Sequence, residues 1–345
     1  MRSITLAPVL AGAACLCGVY AAAADFSIRT PPGLAGRFLA PPGIEWGYFR
    51  NADGARIRWS HTPPAAGLTN GSVVLMHGYS EFAEKYFEVL RDLAARGYDV
   101  WQMDWRGYGG SDRYLPEREK AHSLGIGHDT RDLDQFVRTV VKAVPGKPLV
   151  LIAHSMGGQI AVRYLHDSPG RFQAAVLSSP FLSLAPGASR GVPEWLAGAI
   201  IWSTNAFGFS RSWAPGNGPW KDAPAEKMTH DPLRAELQRT WNRANPALRI
   251  GGVTNGWVKE YVGGLDTLQQ PGYYAAIKVP ILLGSAAEDV LTKPEAQAEA
   301  CSLLPDCRLL RIEHAWHELF MESDDFRSPW LTAVDSFLDG MREQR

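Results

Sequence analysis

The sequence predicts an α/β fold, with a mostly parallel central sheet, helices on both faces and an inserted helical lid. Short continuous apolar runs, typical of strands buried on both faces, alternate with segments whose apolar residues recur at helical spacing. The chain has 345 residues, of which 46% are hydrophobic and 21% charged, so it can form a large core. Between residues 181 and 274 the alternation gives way to a stretch rich in Trp, Gly and Pro, which predicts the lid.

Eight segments are predicted as strands, at 44–50, 55–61, 72–77, 98–104, 149–154, 174–179, 279–285 and 307–312. Helices are predicted at 82–94, 133–144, 157–167 and 330–341, with helical pieces of the lid at 193–203 and 231–244. The predicted organisation is a core in two parts, 25–182 and 276–345, interrupted by the lid at 183–275. Such a lid would lie over the carboxyl ends of the strands, where open α/β sheets bind ligands.

Residues 1–24 are predicted to be a signal peptide. Arg2 precedes an uncharged stretch rich in Ala, Leu, Val and Gly, and Ala22 and Ala24 are small enough for signal peptidase. Two different interpretations stay open: an uncleaved membrane anchor, because the stretch is long enough to span a bilayer, and a lipoprotein signal ending at Cys15. Each of them predicts an exported protein, periplasmic or secreted, or anchored to the membrane by this segment.

The cysteines fit an exported chain. Cys15 and Cys17 belong to the targeting segment, which leaves Cys301 and Cys307 in the mature chain. An even pair in an oxidising compartment predicts a disulfide, and the turn at 302–306 would bring the two residues together. The alternative is a pair of reduced thiols at the edge of the core.

The charge balance excludes several classes of protein. Lys and Arg number 35 and Asp and Glu 36, and no basic stripe runs along the chain, so no nucleic-acid partner is predicted. No repeat of solenoid or propeller type is visible. No Gly-rich phosphate loop follows a strand, and His317-Glu318 lacks the second His of a zinc motif, so no cofactor and no metal are predicted.

One motif carries the predicted chemistry. In Ala153-His154-Ser155-Met156-Gly157, a buried strand turns sharply into a helix, and small flanking residues allow that turn to be tight. The pattern predicts that Ser155 is exposed at the end of the strand as a nucleophile. The alternative is an ordinary helix N-cap.

A serine nucleophile requires a base and an acid, which on such a fold follow in the order Ser, acid, His. His317 is the predicted base because it lies deeper in the loop after the last strand than His314 does. Asp289, after the preceding strand, is the predicted acid that orients the imidazole, with Glu288 as the alternative.

The oxyanion of an acyl-transfer intermediate requires two backbone N–H donors. The amide of Met156, at the start of a helix, is one candidate. The amide of Tyr79, in the loop after the first buried strand, is the second.

These motifs resemble the α/β-hydrolases known as monoacylglycerol lipases and bacterial lysophospholipases. The resemblance covers about residues 44–338 and implies an α/β-hydrolase fold, a serine esterase activity and structural roles for Asp104 and Arg106. His314 stands where the family usually has Gly. The matching segments are 77–81 with Tyr86, 104–111, 154–158 and 315–319, and in the lid 230–232, 249–254 and 257–260.

The predicted substrates are single-chain lipid esters, lysophospholipids first and monoacylglycerols second, with peripheral membrane contact through the lid. The reason is the concentration of Trp in the lid, since Trp combines a large apolar surface with one donor. If these Trp only fill the lid's own core, a broader carboxylesterase is expected instead. The motifs also fit a serine aminopeptidase and, less well, a catalytically silent binding protein. Six of the 12 Trp lie in this stretch: Trp195, Trp202, Trp213, Trp220, Trp241 and Trp257.

Overall fold

The structure is a computed structural model that describes residues 28–65, 67, 69–185, 207–224 and 227–343. Eight strands form its central sheet: β1 (Glu45–Arg50), β2 (Arg56–Thr62), β3 (Gly71–Met76), β4 (Tyr98–Met103), β5 (Leu149–His154), β6 (Ala174–Ser178), β7 (Ile281–Ala286) and β8 (Cys307–Ile312). Their spatial order is β1-β2-β4-β3-β5-β6-β7-β8. The pairs β1·β2 and β2·β4 are antiparallel and the remaining pairs are parallel, so the predicted sheet is confirmed.

The α-helices of the described residues are α1 (Phe87–Ala95), α2 (Ile126–Thr139), α3 (Met156–Asp167), α4 (Pro232–Ala244), α5 (Asn255–Tyr261), α6 (Leu265–Leu268), α7 (Pro294–Leu303) and α8 (Asp324–Glu343). Two begin earlier than predicted. The first two turns of α2 bury the carboxyl groups of Asp129 and Asp132, which interrupt the apolar spacing. Helix α8 contains Pro329, a residue that in the sequence predicts a later start.

Apolar layers cover both faces of the sheet. Successive residues of β3 alternate between them: Val74 and Met76 pack with α2 and α3, whereas Val73 and Leu75 pack with α1 and α8. This two-sided burial explains the continuous apolar run of the strand.

The insertion between β6 and β7 contains α4, α5 and α6. Asp231 caps α4 by accepting hydrogen bonds from the amides of Leu233, at 2.8 Å, and Arg234, at 3.0 Å. On its buried side, the Arg234 guanidinium donates to both oxygens of Glu88 in α1, each at 2.8 Å, which ties the insertion to the core. The predicted helical piece at 193–203 lies outside the described residues, as do Trp195 and Trp202.

Helix α7 and strand β8 are joined by a disulfide between Cys301 and Cys307, whose Cα atoms are 5.4 Å apart. These are the two cysteines that the sequence predicts to pair. The predicted signal peptide at 1–24 lies outside the described residues and stays a prediction. Within the described part of the chain, no helix combines the length and apolar character needed to cross a bilayer.

Candidate active site

Ser155 occupies the sharp turn between β5 and α3. Its backbone has φ 51° and ψ −118°, a strained conformation for a residue with a side chain. Gly157 explains how the turn closes: a Cβ atom there would lie 2.5 Å from the carbonyl oxygen of His77, so a side chain would push the helix off the end of β3. The Ser155 amide donates to the Ser178 carbonyl at 3.0 Å, which fixes the turn to β6.

The structure brings the three predicted residues into one chain of hydrogen bonds. His317 Nε2 lies 2.9 Å from Ser155 Oγ, and His317 Nδ1 lies 2.7 Å from Asp289 Oδ2. Asp289 is held in turn by the amide and hydroxyl of Thr292, at 3.0 and 2.6 Å. A nucleophile, a base and a group that orients the base therefore stand in the order that acyl transfer requires.

Electrostatics favours a charged acid and a basic imidazole. Burial by itself lowers the pKa of His317, but the charge and hydrogen bond of Asp289 outweigh it, so this pKa lies above its ordinary value. Burial would raise the pKa of Asp289, yet His317 holds it below its ordinary value. The carboxylate is therefore ready to stabilise an imidazolium.

His314 and Glu288, the alternative base and acid, lie outside this chain of hydrogen bonds. His314 Nδ1 is 2.9 Å from Glu288 Oε1, and this pair is exposed on the outside of the loop. His314 has φ 64°, the left-handed conformation that suits the Gly usual at this position. Asp104 is fully buried, accepts from Arg58 Nε at 2.6 Å and from the Gly110 amide at 2.7 Å, and so holds its own loop together.

Arg106 also has a structural environment. Its guanidinium donates to Asp53 at 2.6 Å and lies over the ring of Tyr114 at 4.4 Å. It therefore fixes the loop after β4 to the hairpin formed by β1 and β2.

The two predicted oxyanion donors belong to segments that meet at Ser155. No described residue accepts a hydrogen bond from the amide of Tyr79 or of Met156, so both donors are available to a ligand. A Cβ atom on Gly78 would lie 3.1 Å from Ser155 Cβ, which shows how closely the Tyr79 loop approaches the nucleophile. The Tyr79 hydroxyl donates to the Gly251 carbonyl at 2.7 Å and links this loop to the insertion.

A buried charge network beside the site was missed by the sequence analysis. The Lys85 ammonium donates to Glu81 at 2.6 Å, to Glu318 at 2.7 Å and to Gln238 of α4 at 3.1 Å. Burial raises the pKa of Glu81 by itself, but the Lys85 charge holds it far below its ordinary value. The network joins the Tyr79 loop, the His317 loop and α4.

Ser155 and His317 lie at the base of a cavity of about 230 Å³. Part of its wall is apolar, and part is the polar face of α4. Of the described Trp residues in the insertion, only Trp220 lines it; Trp241 and Trp257 are buried in the apolar layers. The expectation that the Trp residues of the lid surround the substrate is therefore wrong for these two. The apolar lining comprises Trp220, Ala223, Met228, Ala235, Ile250 and Leu291.

Among the described residues, no group of three or more His, Cys, Asp or Glu side chains could hold a metal ion. The arrangement of the Ser155, His317 and Asp289 side chains with the two backbone amides suits nucleophilic acyl transfer.

This fold and this serine–histidine–aspartate geometry define an α/β-hydrolase. The family model described as Hydrolase_4, Serine aminopeptidase, S33, matches residues 68–324, which is most of the chain. The protein therefore belongs to this family, and the predicted fold class and family resemblance are confirmed.

Two curated relatives and one solved structure illustrate the similarity. The chain is 28% identical over 294 residues to a protein named probable lysophospholipase L2 from Haemophilus influenzae, covering 85% of this chain and 91% of the relative. It is 30% identical over 278 residues to lysophospholipase L2 from Escherichia coli K12, covering 77% and 80%. A monoglyceride lipase structure from Saccharomyces cerevisiae aligns with TM-score 0.69 and 21% identity, covering 86% of this chain and 96% of the yeast chain.

Proposed function

We propose that the protein is a serine hydrolase that cleaves carboxylic esters of single-chain lipids, lysophospholipids before monoacylglycerols, through an acyl-enzyme. The hydrogen-bond chain from Ser155 through His317 to Asp289, at the base of a partly apolar cavity, carries this proposal. The protein is a carboxylic ester hydrolase of its family, in agreement with the names of its lysophospholipase relatives.

In the acylation step, Ser155 Oγ attacks the ester carbonyl carbon and its proton passes to His317 Nε2. The carbonyl oxygen becomes negatively charged and accepts hydrogen bonds from the amides of Tyr79 and Met156. The bond from carbon to the alcohol oxygen then breaks, and the leaving alcohol takes the proton from His317. Asp289 stabilises the imidazolium while the intermediate exists.

In the deacylation step, water attacks the carbonyl carbon of the acyl-enzyme and gives one proton to His317. The same two amides stabilise the second oxyanion. When the bond to Ser155 Oγ breaks, the oxygen recovers its proton from His317, and the fatty acid leaves. The two steps together consume one water and restore the enzyme.

Two competing activities are that of a monoacylglycerol lipase, which differs in the leaving alcohol, and that of a serine aminopeptidase. An aminopeptidase requires an acidic group to bind the substrate's free ammonium. The carboxylates of Glu81 and Glu318 line the cavity, but each is already paired with Lys85. This pairing favours the esterase over the aminopeptidase.

A substrate panel on the purified mature protein tests the proposal. The ratio kcat/KM is compared for a lysophosphatidylcholine, a monoacylglycerol of the same acyl chain, a short nitrophenyl ester and an aminoacyl amide. We expect the lysophospholipid to be the best substrate. Preference for the amide would indicate a peptidase, and preference for the short ester, with no gain from a longer chain, would contradict the lipid substrate.

Export and peripheral membrane contact through the lid belong to the same proposal. The lid exposes Phe207, Phe209 and Leu233, with 77, 57 and 57% of their surfaces accessible, and such apolar side chains favour insertion into a lipid interface. Flotation with phosphatidylethanolamine–phosphatidylglycerol vesicles should recover the mature protein, and Phe209→Ser should weaken recovery. Equal recovery of both proteins would contradict contact at this position.

A further inference from the structure

Helix α4 turns a polar face toward the catalytic cavity. Of its five cavity-lining residues, Ala235, Gln238, Arg239 and Asn242 follow one another at intervals of three, one and three positions, which places these four on one side of the helix, and Arg234 lies at the edge of that side. The opposite side packs Leu237 into the core, with Trp241 buried beside it. A polar wall facing the apolar lining of the same cavity suits a ligand with one apolar and one polar part.

Three cationic side chains line this cavity, and two of them are fully engaged. Each of the three donors of Lys85 has an acceptor, in Glu81, Glu318 and Gln238. The Arg234 guanidinium forms ion pairs with acidic side chains, and Glu88 is the closest buried one. Neither is available to a substrate without breaking a buried ion pair.

Arg239 differs from both. Its Nε and Nη2 atoms face Glu236, a residue on the outer side of the helix with 41% of its side chain exposed. Its Nη1 atom has no partner among the described residues, so two N–H donors stay available. The pair with Glu236 occupies only Nε and Nη2, so Nη1 can bind an additional anion while that pair stays intact.

Asn242 provides a second, independent observation. This residue is 3% exposed, and its Oδ1 atom is buried without a hydrogen-bond partner among the residues that the structure describes. A buried polar atom without a partner is costly, and a substrate hydroxyl or ammonium would satisfy it. Asn242 lies one helical turn beyond Gln238, about 6 Å along the helix axis. Arg239 lies three positions before Asn242 on the same helix, so the two side chains are near enough to contact one headgroup.

We propose that Arg239 and Asn242 form the subsite that binds the glycerophosphodiester headgroup of a lysophospholipid. Arg239 binds the phosphodiester through its free Nη1 donors, and Asn242 accepts from the glycerol hydroxyl. This inference rests on the proposed function, because it assigns the headgroup end of the same cavity.

The test compares variants on two substrates with the same acyl chain, lysophosphatidylethanolamine and a monoacylglycerol. For Arg239→Gln, we expect kcat/KM to fall about 10- to 100-fold on the lysophospholipid, because a charge-assisted hydrogen bond is lost, and to stay within about threefold on the monoacylglycerol. Arg239→Lys should lose less. Titration with a fluorophosphonate probe gives the concentration of folded, active enzyme, so poor folding does not imitate the effect.

Arg243→Gln is the matched control. Arg243 lies one turn along the same helix, also pairs with Asp222 at 2.7 Å, and does not line the cavity. It should behave like the wild type on both substrates. Asn242→Asp is a second variant: its carboxylate repels the phosphate or neutralises Arg239, and either effect lowers activity on the lysophospholipid alone.

Equal losses on both substrates, or losses no larger than those of Arg243→Gln, would overturn the subsite. Glycerophosphoethanolamine should inhibit the wild type more strongly than Arg239→Gln. Equal inhibition by inorganic phosphate would assign the site to a free anion instead and overturn the headgroup assignment. If the wild type hydrolyses the short ester but not the lysophospholipid, the proposed function itself is wrong. If the wild type hydrolyses the lysophospholipid and Arg239→Gln does so equally well, only the subsite is wrong.

Discussion

The floor and the roof of the cavity are built in different ways. The floor, formed by Ser155, His317 and Asp289, stands at the ends of buried parallel strands, and its geometry is fixed by backbone turns. The roof, formed by α4, is attached through side chains, above all the ion pairs of Arg234 and the contact of Gln238 with Lys85. The comparison indicates that the floor carries out the reaction, and in our proposal the roof selects the ester.

Removing the nucleophile should have the largest effect. Ser155→Ala is expected to lower kcat/KM on every ester by on the order of 10⁵-fold, because no other group can form the acyl-enzyme. Fluorophosphonate labelling, followed by mass spectrometry, should modify Ser155 in the wild type and nothing in the variant. Labelling at another residue would show that the floor has been assigned wrongly.

The orienting acid should have the next largest effect. Asp289→Asn is expected to cost about 10⁴-fold in kcat, because an amide stabilises the wrong tautomer of His317. Glu288→Gln, one position earlier and exposed, is the matched control and should stay within about threefold of the wild type. The reverse result would assign the acid to Glu288.

Breaking the roof's attachment should reduce stability rather than chemistry. Arg234→Met leaves the buried Glu88 with only the more distant Arg37, at 3.7 Å, which is expected to lower the free energy of unfolding by about 3 kcal/mol in denaturant titrations. Arg243→Gln, at an exposed pair, should leave it unchanged. If Arg234→Met unfolds like the wild type, the roof is attached by contacts other than this ion pair.

The charged network beside His317 predicts an effect on the pH dependence of catalysis. Catalysis fails when acid protonates His317, and the nearby charge of Glu318 raises the pKa of His317. Glu318→Gln removes that charge, so the acidic midpoint of kcat/KM against pH should move to lower pH. Glu313→Gln, 68% exposed in the same loop, should leave the midpoint in place. A shift to higher pH would contradict the electrostatic role of Glu318.

The sequence predicts the floor better than the roof, and the reason is physical. A nucleophile elbow is a local structure, so Ser155 and Gly157 indicate it within three positions. The order of the sheet then restricts the acid and the base to two loops. The network of Lys85 with Glu81 and Glu318 joins distant parts of the chain, and no local spacing reveals it.

The roof shows a second limit of prediction from sequence. The helical periodicity of α4 predicts which of its residues share a face, but which face meets the cavity depends on tertiary packing. Trp241 and Trp257 show the consequence. The abundance of Trp in the lid predicts a substrate site, whereas in the structure these two side chains are buried in the core. An apolar residue in a lid does not by itself distinguish packing from binding.

The insertion leaves the sheet at the carboxyl end of β6 and returns at the amino end of β7, which lie at opposite edges, since Ser178 pairs with Gly284 whereas Ile281, the first residue of β7, pairs with Ala175. The insertion is therefore both the cover of the cavity and the crossover connection that two parallel strands of one sheet require. A different segment in this place would have to restore the crossover, the ion pair of Arg234 with Glu88, and the Gly251 and Gln238 contacts to the Tyr79 loop.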